Sequence, residues 1–237
     1  MQQFRHLQVR ANGIKFNLLE KGEGPLFLCL HGFPDHPRSF RYQLNYFAAQ
    51  GFRVVAPFMR GYSPTETALD QSFQSANLAQ DVIGLIDVLG HETAIVYGHD
   101  WGSAAAYGAA VLAPEKISQL IVAAVPYGHG FAQALLEDAD QQRLSWYMFF
   151  FQTPLAEVAI SLNHYQFIEK LWQDWSPGWR YDKRELALIK ETLAKPNVLK
   201  AALQYYRTAF NPDLHSPQLK SLQTKMNQLL SSLQKDL

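Results

Sequence analysis

Ala94-Ile95-Val96-Tyr97-Gly98-His99-Asp100-Trp101-Gly102-Ser103 is the stretch on which the fold turns. Four apolar residues suggest a short strand, and the alanine- and glycine-rich run Ser103–Leu112 suggests a helix able to lie close against a sheet. Between them the chain must reverse sharply. Glycines stand two residues before and two after Asp100, as expected where a tight strand-to-helix turn holds its central residue in a strained backbone conformation. Such an elbow presents Asp100 at the carboxyl edge of the sheet, above a helix N-terminus whose dipole favours negative charge. Asp100 is therefore expected to remain ionised. Taken alone, the stretch also permits a plainer role, with Asp100 simply capping the helix from an ordinary loop.

Upstream, His31-Gly32-Phe33-Pro34 follows the apolar run Leu26–Leu30. In a strand–elbow–helix architecture, a loop at this place supplies one backbone amide and the residue after the central one supplies a second. The amides of Phe33 and Trp101 would then converge on negative charge developing at a carboxylate oxygen, which makes them the candidate oxyanion hole. Two motifs in the right strand context count against simple capping. Further apolar runs at Phe52–Ala56, Ala94–Tyr97 and Gln119–Val125 read as strands covered by helices on both faces. An earlier pair, Leu7–Arg10 and Ile14–Leu19, flanks Asn12-Gly13, a strong hairpin signal. Ala76–Leu89 places Leu78, Val82, Leu85, Ile86 and Leu89 at helical spacing, with Gly90 as C-cap. Strands alternating with helices predict an α/β fold with a mainly parallel sheet.

The 237 residues can bury a substantial core, and 21 basic residues balance 21 acidic ones. That balance offers no field for nucleic acid or anionic lipid, so no nucleic-acid or membrane partner is expected, and a small apolar organic substrate fits better. The oligomeric state is left open. Met1-Gln2-Gln3-Phe4-Arg5-His6 has no apolar targeting core, and no later run is long enough to span a bilayer, so a cytoplasmic location is expected. The single cysteine, Cys29, lies within an apolar run and reads as a buried structural thiol. No cofactor or metal site is implied.

From about Tyr127 the texture changes to aromatic-rich helical segments, including Trp146-Tyr147-Met148-Phe149-Phe150-Phe151 and Tyr205-Tyr206. Pro154, Pro177, Pro196 and Pro212 are expected to separate successive helices. The reading divides the chain into a core over 1–126, a helical lid over 127–215, and a connection with a helical tail over 216–237. For the aromatic residues of the lid, packing is the default role.

Three motifs, His31-Gly32-Phe33-Pro34, Arg60-Gly61-Tyr62-Ser63 and Gly98-His99-Asp100-Trp101-Gly102, resemble the epoxide hydrolase and haloalkane dehalogenase branch of the α/β-hydrolase superfamily, over about Leu7 to Lys225. The resemblance implies an α/β-hydrolase fold with a helical lid. It also implies that Asp100 attacks an electrophilic carbon to form an alkyl ester, which water activated by a histidine–acid pair then hydrolyses. It places His31, Pro34, Tyr147, Phe150 and Tyr206 around the substrate, with His31 ordering its loop rather than moving protons. Tyr206 matches the second of two lid tyrosines that protonate an opening epoxide. Phe150 occupies the position of the first, with Tyr147 one turn earlier as a substitute. The Phe33-Pro34-Asp35 loop and Tyr206 favour an epoxide over a halide, the dehalogenase being the main rival and a non-catalytic ligand-binding protein the other.

In the family the acid and histidine follow the lid, whereas Met226–Leu237 has no β-rich apolar run, no Gly-x-x-Asp and no histidine. The expectation is a core lacking its last strands and impaired in ester hydrolysis. The eight histidines are all assigned ordinary roles: His6, His36 and His91 in surface segments, His31 and His99 in the motifs, and His129, His164 and His215 in or beside the lid. Gln119–Val125 would then form an open apolar edge. Leu222, Met226, Leu229, Leu230 and Leu233 at helical spacing suggest a tail that covers part of it.

Overall fold

The computed structural model describes residues 4–67, 72–127 and 130–234, with the side chains of 233 and 234 excepted. The expectations for His129, for the Leu233 side chain and for the last three residues lie outside these. The core is a sheet of six strands, β1 (Arg5–Ala11), β2 (Ile14–Lys21), β3 (Leu26–Leu30), β4 (Arg53–Pro57), β5 (Ala94–His99) and β6 (Ile117–Ala123), in the order β1-β2-β4-β3-β5-β6. β1 and β2 form the hairpin over Asn12-Gly13, β2 runs antiparallel to β4, and the remaining pairs are parallel. This is the mainly parallel α/β-hydrolase sheet expected.

Helix α1 (Arg41–Ala49) covers one face, where Leu44 joins Phe27, Cys29, Val54 and Ala56. On the other face lie α2 (Ser75–Val88) and α3 (Trp101–Leu112). Leu78, Val82, Leu85 and Ile86 of α2 are buried in the main core, as their spacing predicted. Burying each side chain contributes about 1.5–3 kcal/mol. Gly90 follows the helix at φ +80°, in the left-handed C-cap geometry.

Among the described residues, β6 is followed by helices α4 (Gly130–Glu137), α5 (Ala139–Leu144), α6 (Trp146–Phe150), α7 (Ala156–Trp175), α8 (Lys183–Leu193) and α9 (Val198–Phe210), with no further strand. Pro154, Pro177, Pro196 and Pro212 fall between or just after them, as expected. One break has no proline: Asn163, His164 and Tyr165 adopt left-handed backbone at φ 50–58°, dividing α7 in two. Consecutive residues in that region are costly, and the sequence gives no glycine to relieve them. The helical segment is joined to the core by the Arg38 Nε to Glu185 Oε2 bond of 2.9 Å.

The main internal tie is a buried ion pair. Arg60, 1% exposed, donates through Nε and a terminal nitrogen to Asp81 of α2 at 2.8 and 2.7 Å. Asp81 also accepts from Asn12 in the hairpin turn, and Tyr205 of α9 donates to the Arg60 carbonyl at 2.7 Å. Hairpin, core helix and α9 are thus linked through the Arg60–Asp81 pair and the Arg60 carbonyl.

Three expectations need correction. β6 is not covered on both faces: Leu120 and Ile121 are 36% and 40% exposed, because β6 has a neighbouring strand on one side among the described residues. The tail forms α10 (Lys220–Gln234), but it does not cover that edge. Met226 packs on Ala76 and Ala79 of α2, with Leu222 and Leu230 beside α3, and Gln223 accepts from the Ala76 amide. His36 is buried rather than superficial, because its Nδ1 accepts from the Arg38 amide at the start of a short 3-10 turn and its ring meets Phe58.

Asp81→Ala would leave the buried Arg60 guanidinium without its carboxylate and is expected to cost about 3–5 kcal/mol in urea denaturation. A loss well under that would mean Arg60 finds another partner. β6 has no charged residue on its open edge, so self-association at high concentration is expected and Ile121→Lys should reduce it in sedimentation without altering the far-ultraviolet CD.

Candidate active site

Asp100 sits between β5 and α3 with φ 53° and ψ −121°, a conformation that L-residues rarely hold. Its side chain makes no capping hydrogen bond to α3, so the plain capping role fails. The strain is held from several sides. The Asp100 amide donates to the Ala123 carbonyl at the end of β6. The Ser103 hydroxyl donates toward the Gly98 and Ala123 carbonyls, both at 2.9 Å, and accepts from the Ala123 amide. Ser103 stands in the decisive stretch, yet its role was not read there, because serine in the first turn of a helix is common enough to carry no signal.

The glycines follow from space. A Cβ on Gly102 would lie 2.0 Å from the Leu30 carbonyl oxygen, so only glycine lets α3 start this close to β3. A Cβ on Gly32 would lie 2.2 Å from Asp100 Oδ1, so the loop after β3 needs glycine to approach the carboxylate. That approach brings the Phe33 amide to 2.8 Å from Oδ1, where it donates a hydrogen bond. The loop is fixed from below by His31. Its Nδ1 lies 3.0 Å from the Gly32 carbonyl, and its Nε2 accepts from the Met59 amide at 3.0 Å, which makes Nδ1 the protonated nitrogen. Burial lowers its pKa to about 3, so the ring is neutral and structural.

Burial raises the Asp100 carboxyl above the ordinary carboxylate range, and the neighbouring Asp35 adds to the rise. The Phe33 and Trp101 amides and His99 pull in the opposite direction. Asp35 is raised as well, by burial, while His99 and the Ser39 hydroxyl favour its charged form. His99 Nδ1 lies 4.0 Å from Asp35 Oδ2. The helix N-terminus is therefore one influence among several on Asp100, and desolvation outweighs it.

Aromatic rings form the opposite wall. Tyr206 is 1% exposed and touches Phe33, Trp101, Tyr147 and Phe151, with centroids 5.0–5.9 Å apart. Its hydroxyl and the Trp101 indole nitrogen are buried without a hydrogen-bond partner. Burial, followed by the Asp100 charge, raises the Tyr206 phenol well above its usual pKa, and the same two causes raise Tyr147. Tyr205, its neighbour in sequence, is occupied by the Arg60 carbonyl. Phe150 packs on Trp146, Phe167 and Phe151. Phe151 is the phenylalanine of that run that meets Phe33, at 5.2 Å, and sequence reading passed it over. Its place four residues after Tyr147 was the available signal. His215 is spent elsewhere, its Nε2 2.9 Å from the Thr208 carbonyl. Pro34 follows Phe33 in the loop and is buried with it.

The alpha/beta hydrolase fold family matches residues 25–185. Among curated proteins, human epoxide hydrolase 4 is 31% identical over 87% of this chain and 59% of its own length. The AB hydrolase superfamily protein YfhM of Bacillus subtilis is 32% identical over 84% of this chain and 71% of its own. Of solved structures, an epoxide hydrolase from Bacillus megaterium in complex with an inhibitor superposes with TM-score 0.77 at 27% identity, over 89% of this chain and 75% of that one. Epoxide hydrolase VrEH1 from Vigna radiata gives TM-score 0.74 at 27% identity, over 88% and 73%. The chain spans about three fifths of the length of several curated epoxide hydrolases it matches. With its elbow, its oxyanion loop and these relatives in agreement, the chain belongs to the α/β-hydrolase superfamily, in its epoxide hydrolase branch.

Proposed function

We propose that this protein opens a small apolar epoxide by attack of the Asp100 carboxylate on a ring carbon, forming an alkyl ester. The observation that carries this reading is the strained Asp100, with the Phe33 amide 2.8 Å from Oδ1, beside the buried hydroxyl of Tyr206 that has no protein partner. Carbon–oxygen cleavage leaves charge on the epoxide oxygen, and a phenol at that place can supply the proton. The Phe33 and Trp101 amides favour charge on the carboxylate before attack and at the ester carbonyl afterwards. The walls contributed by Phe33, Tyr147, Phe151 and Tyr206 are aromatic, which suits an apolar substrate. Helices α4 to α9 serve in this reading as the lid. An epoxide is favoured over an alkyl halide because a departing halide needs no proton, whereas Tyr206 holds one ready.

Intact-protein mass spectrometry after incubation with a styrene-type epoxide tests the assignment. The expected result is an adduct, or diol in the medium, with wild type and neither with Asp100→Asn. An equal adduct on the variant, or no reaction with either protein, would overturn it. The same spectra read whether the ester persists or is hydrolysed.

Only the ionised carboxylate attacks, and burial raises the Asp100 pKa. Adduct formation is therefore expected to decline on acidification with an inflection above the ordinary aspartate value of about 3.9. The same shift has a stability consequence. Above its folded-state pKa, Asp100 is ionised in both states and penalised in the folded one; below about 3.9 it is protonated in both and the penalty is gone. Asp100→Asn should thus raise Tm at pH 7, and the gain should shrink on acidification, as scanning calorimetry at the two pH values would show.

A further inference from the structure

Two polar atoms at the site have no ordinary partner, and they belong to touching residues. The Trp101 indole Nε1 and the Tyr206 hydroxyl oxygen are both buried and unpaired, while the two rings meet edge to face at 5.1 Å and 82°. An unsatisfied buried donor costs roughly 1–3 kcal/mol, so a pair of them facing one space calls for a reason. Tyr205 does not take the indole proton: its ring lies tilted against Trp101 at 5.5 Å, its hydroxyl is directed to the Arg60 carbonyl, and the indole nitrogen makes no hydrogen bond to it. The unpaired atom facing Trp101 is that of Tyr206.

We infer that the Trp101 indole N–H is a positioning residue for proton transfer, set to stabilise the Tyr206 oxygen as its phenol gives its proton to the opening epoxide. This rests on the reading of Asp100 as nucleophile given above. The step balances within the site. An Asp100 oxygen forms the bond to carbon, the carbon–oxygen bond of the ring breaks with its electron pair on oxygen, and that oxygen takes the Tyr206 proton. The negative charge that began on Asp100 ends on the phenolate, which solvent later reprotonates.

The need for such help is visible around Tyr206. Burial and the charges of Asp100, Tyr147 and Tyr62 all oppose its ionisation, and the indole N–H is the neighbour that favours it. An N–H that is slack toward a neutral phenol and tightens on a phenolate contributes in the transition state rather than before it, which is the useful kind of contact.

The test compares two electrophiles. An epoxide requires a proton at its leaving oxygen, whereas an alkyl sulfonate ester departs without one, and Asp100 can be alkylated by either. Trp101→Phe keeps the backbone amide and an aromatic ring but removes the indole N–H. It is expected to slow alkylation by the epoxide about tenfold, the change that one lost hydrogen bond of about 1.4 kcal/mol produces. Alkylation by the sulfonate should fall at least fivefold less than alkylation by the epoxide, and an unchanged far-ultraviolet CD spectrum reports that the variant folds. In a Tyr206→Phe background the substitution should have no further effect on the epoxide rate, since its partner is already gone. In protein carrying 15N-tryptophan, the Trp101 indole resonance should shift on Tyr206→Phe.

Equal slowing with both electrophiles, additive effects of the two substitutions, or an indole resonance indifferent to Tyr206 would overturn the inference. If wild type alkylates with neither electrophile, the reading of Asp100 itself fails and the inference falls with it. Alkylation of wild type, with Trp101→Phe unaltered toward the epoxide, would reject the role of the indole alone.

Discussion

The structure depends above all on how close α3 comes to the sheet. Gly102 sets its backbone against the Leu30 carbonyl at a distance no side chain permits, and the same approach forces Asp100 into its positive-φ conformation. From this one contact follow the exposure of the carboxylate at the strand ends, the position of the Trp101 amide beside it, and the closeness of the loop carrying Phe33. The strain persists because it is over-determined: β6 holds the Asp100 amide, and Ser103 binds the ends of β5 and β6 at once.

A second constraint is electrostatic. Asp100 is surrounded by protein with another carboxylate, Asp35, near enough to oppose its charge, and the compensation comes from backbone amides and a partly exposed histidine rather than from a guanidinium or ammonium. A carboxylate left without a salt bridge would, in the proposed reading, keep its electrons available for attack, at a cost in stability. The molecule separates its charges by purpose. Arg60 and Asp81 are fully paired and structural, whereas Asp100 is only partly satisfied.

Much of this was legible in the sequence because it is written in small residues and short motifs. Gly98 and Gly102 mark the elbow because close approach tolerates so few alternatives, whereas Tyr206 is singled out by resemblance alone. The four prolines likewise marked where helices stop. What escaped reading depends on partners distant in sequence. The open edge of β6 is expected from the sequence, but its apolar composition also suits a strand covered on both faces, and the exposure of Leu120 and Ile121 shows that it is not. His36 looked like a surface residue because its burial comes from Phe58 and a local turn. Phe150 and Phe151 differ by one helical step, and the structure shows Phe151 against Phe33 and Phe150 against Phe167. The left-handed passage at Asn163–Tyr165 has no breaker to announce it.

Tyr205 and Tyr206 are consecutive on α9, and a helix turns its successive side chains about 100° apart. One of them is bolted to the Arg60 carbonyl, and Arg60 is bolted in turn to α2. Displacing α9 far enough to admit a bulky molecule therefore strains the first tyrosine before it releases the second. In the proposed reading the acid and the latch share one helix, which would work as an interlock: an α9 displaced from Arg60 would also carry the Tyr206 proton away from Asp100.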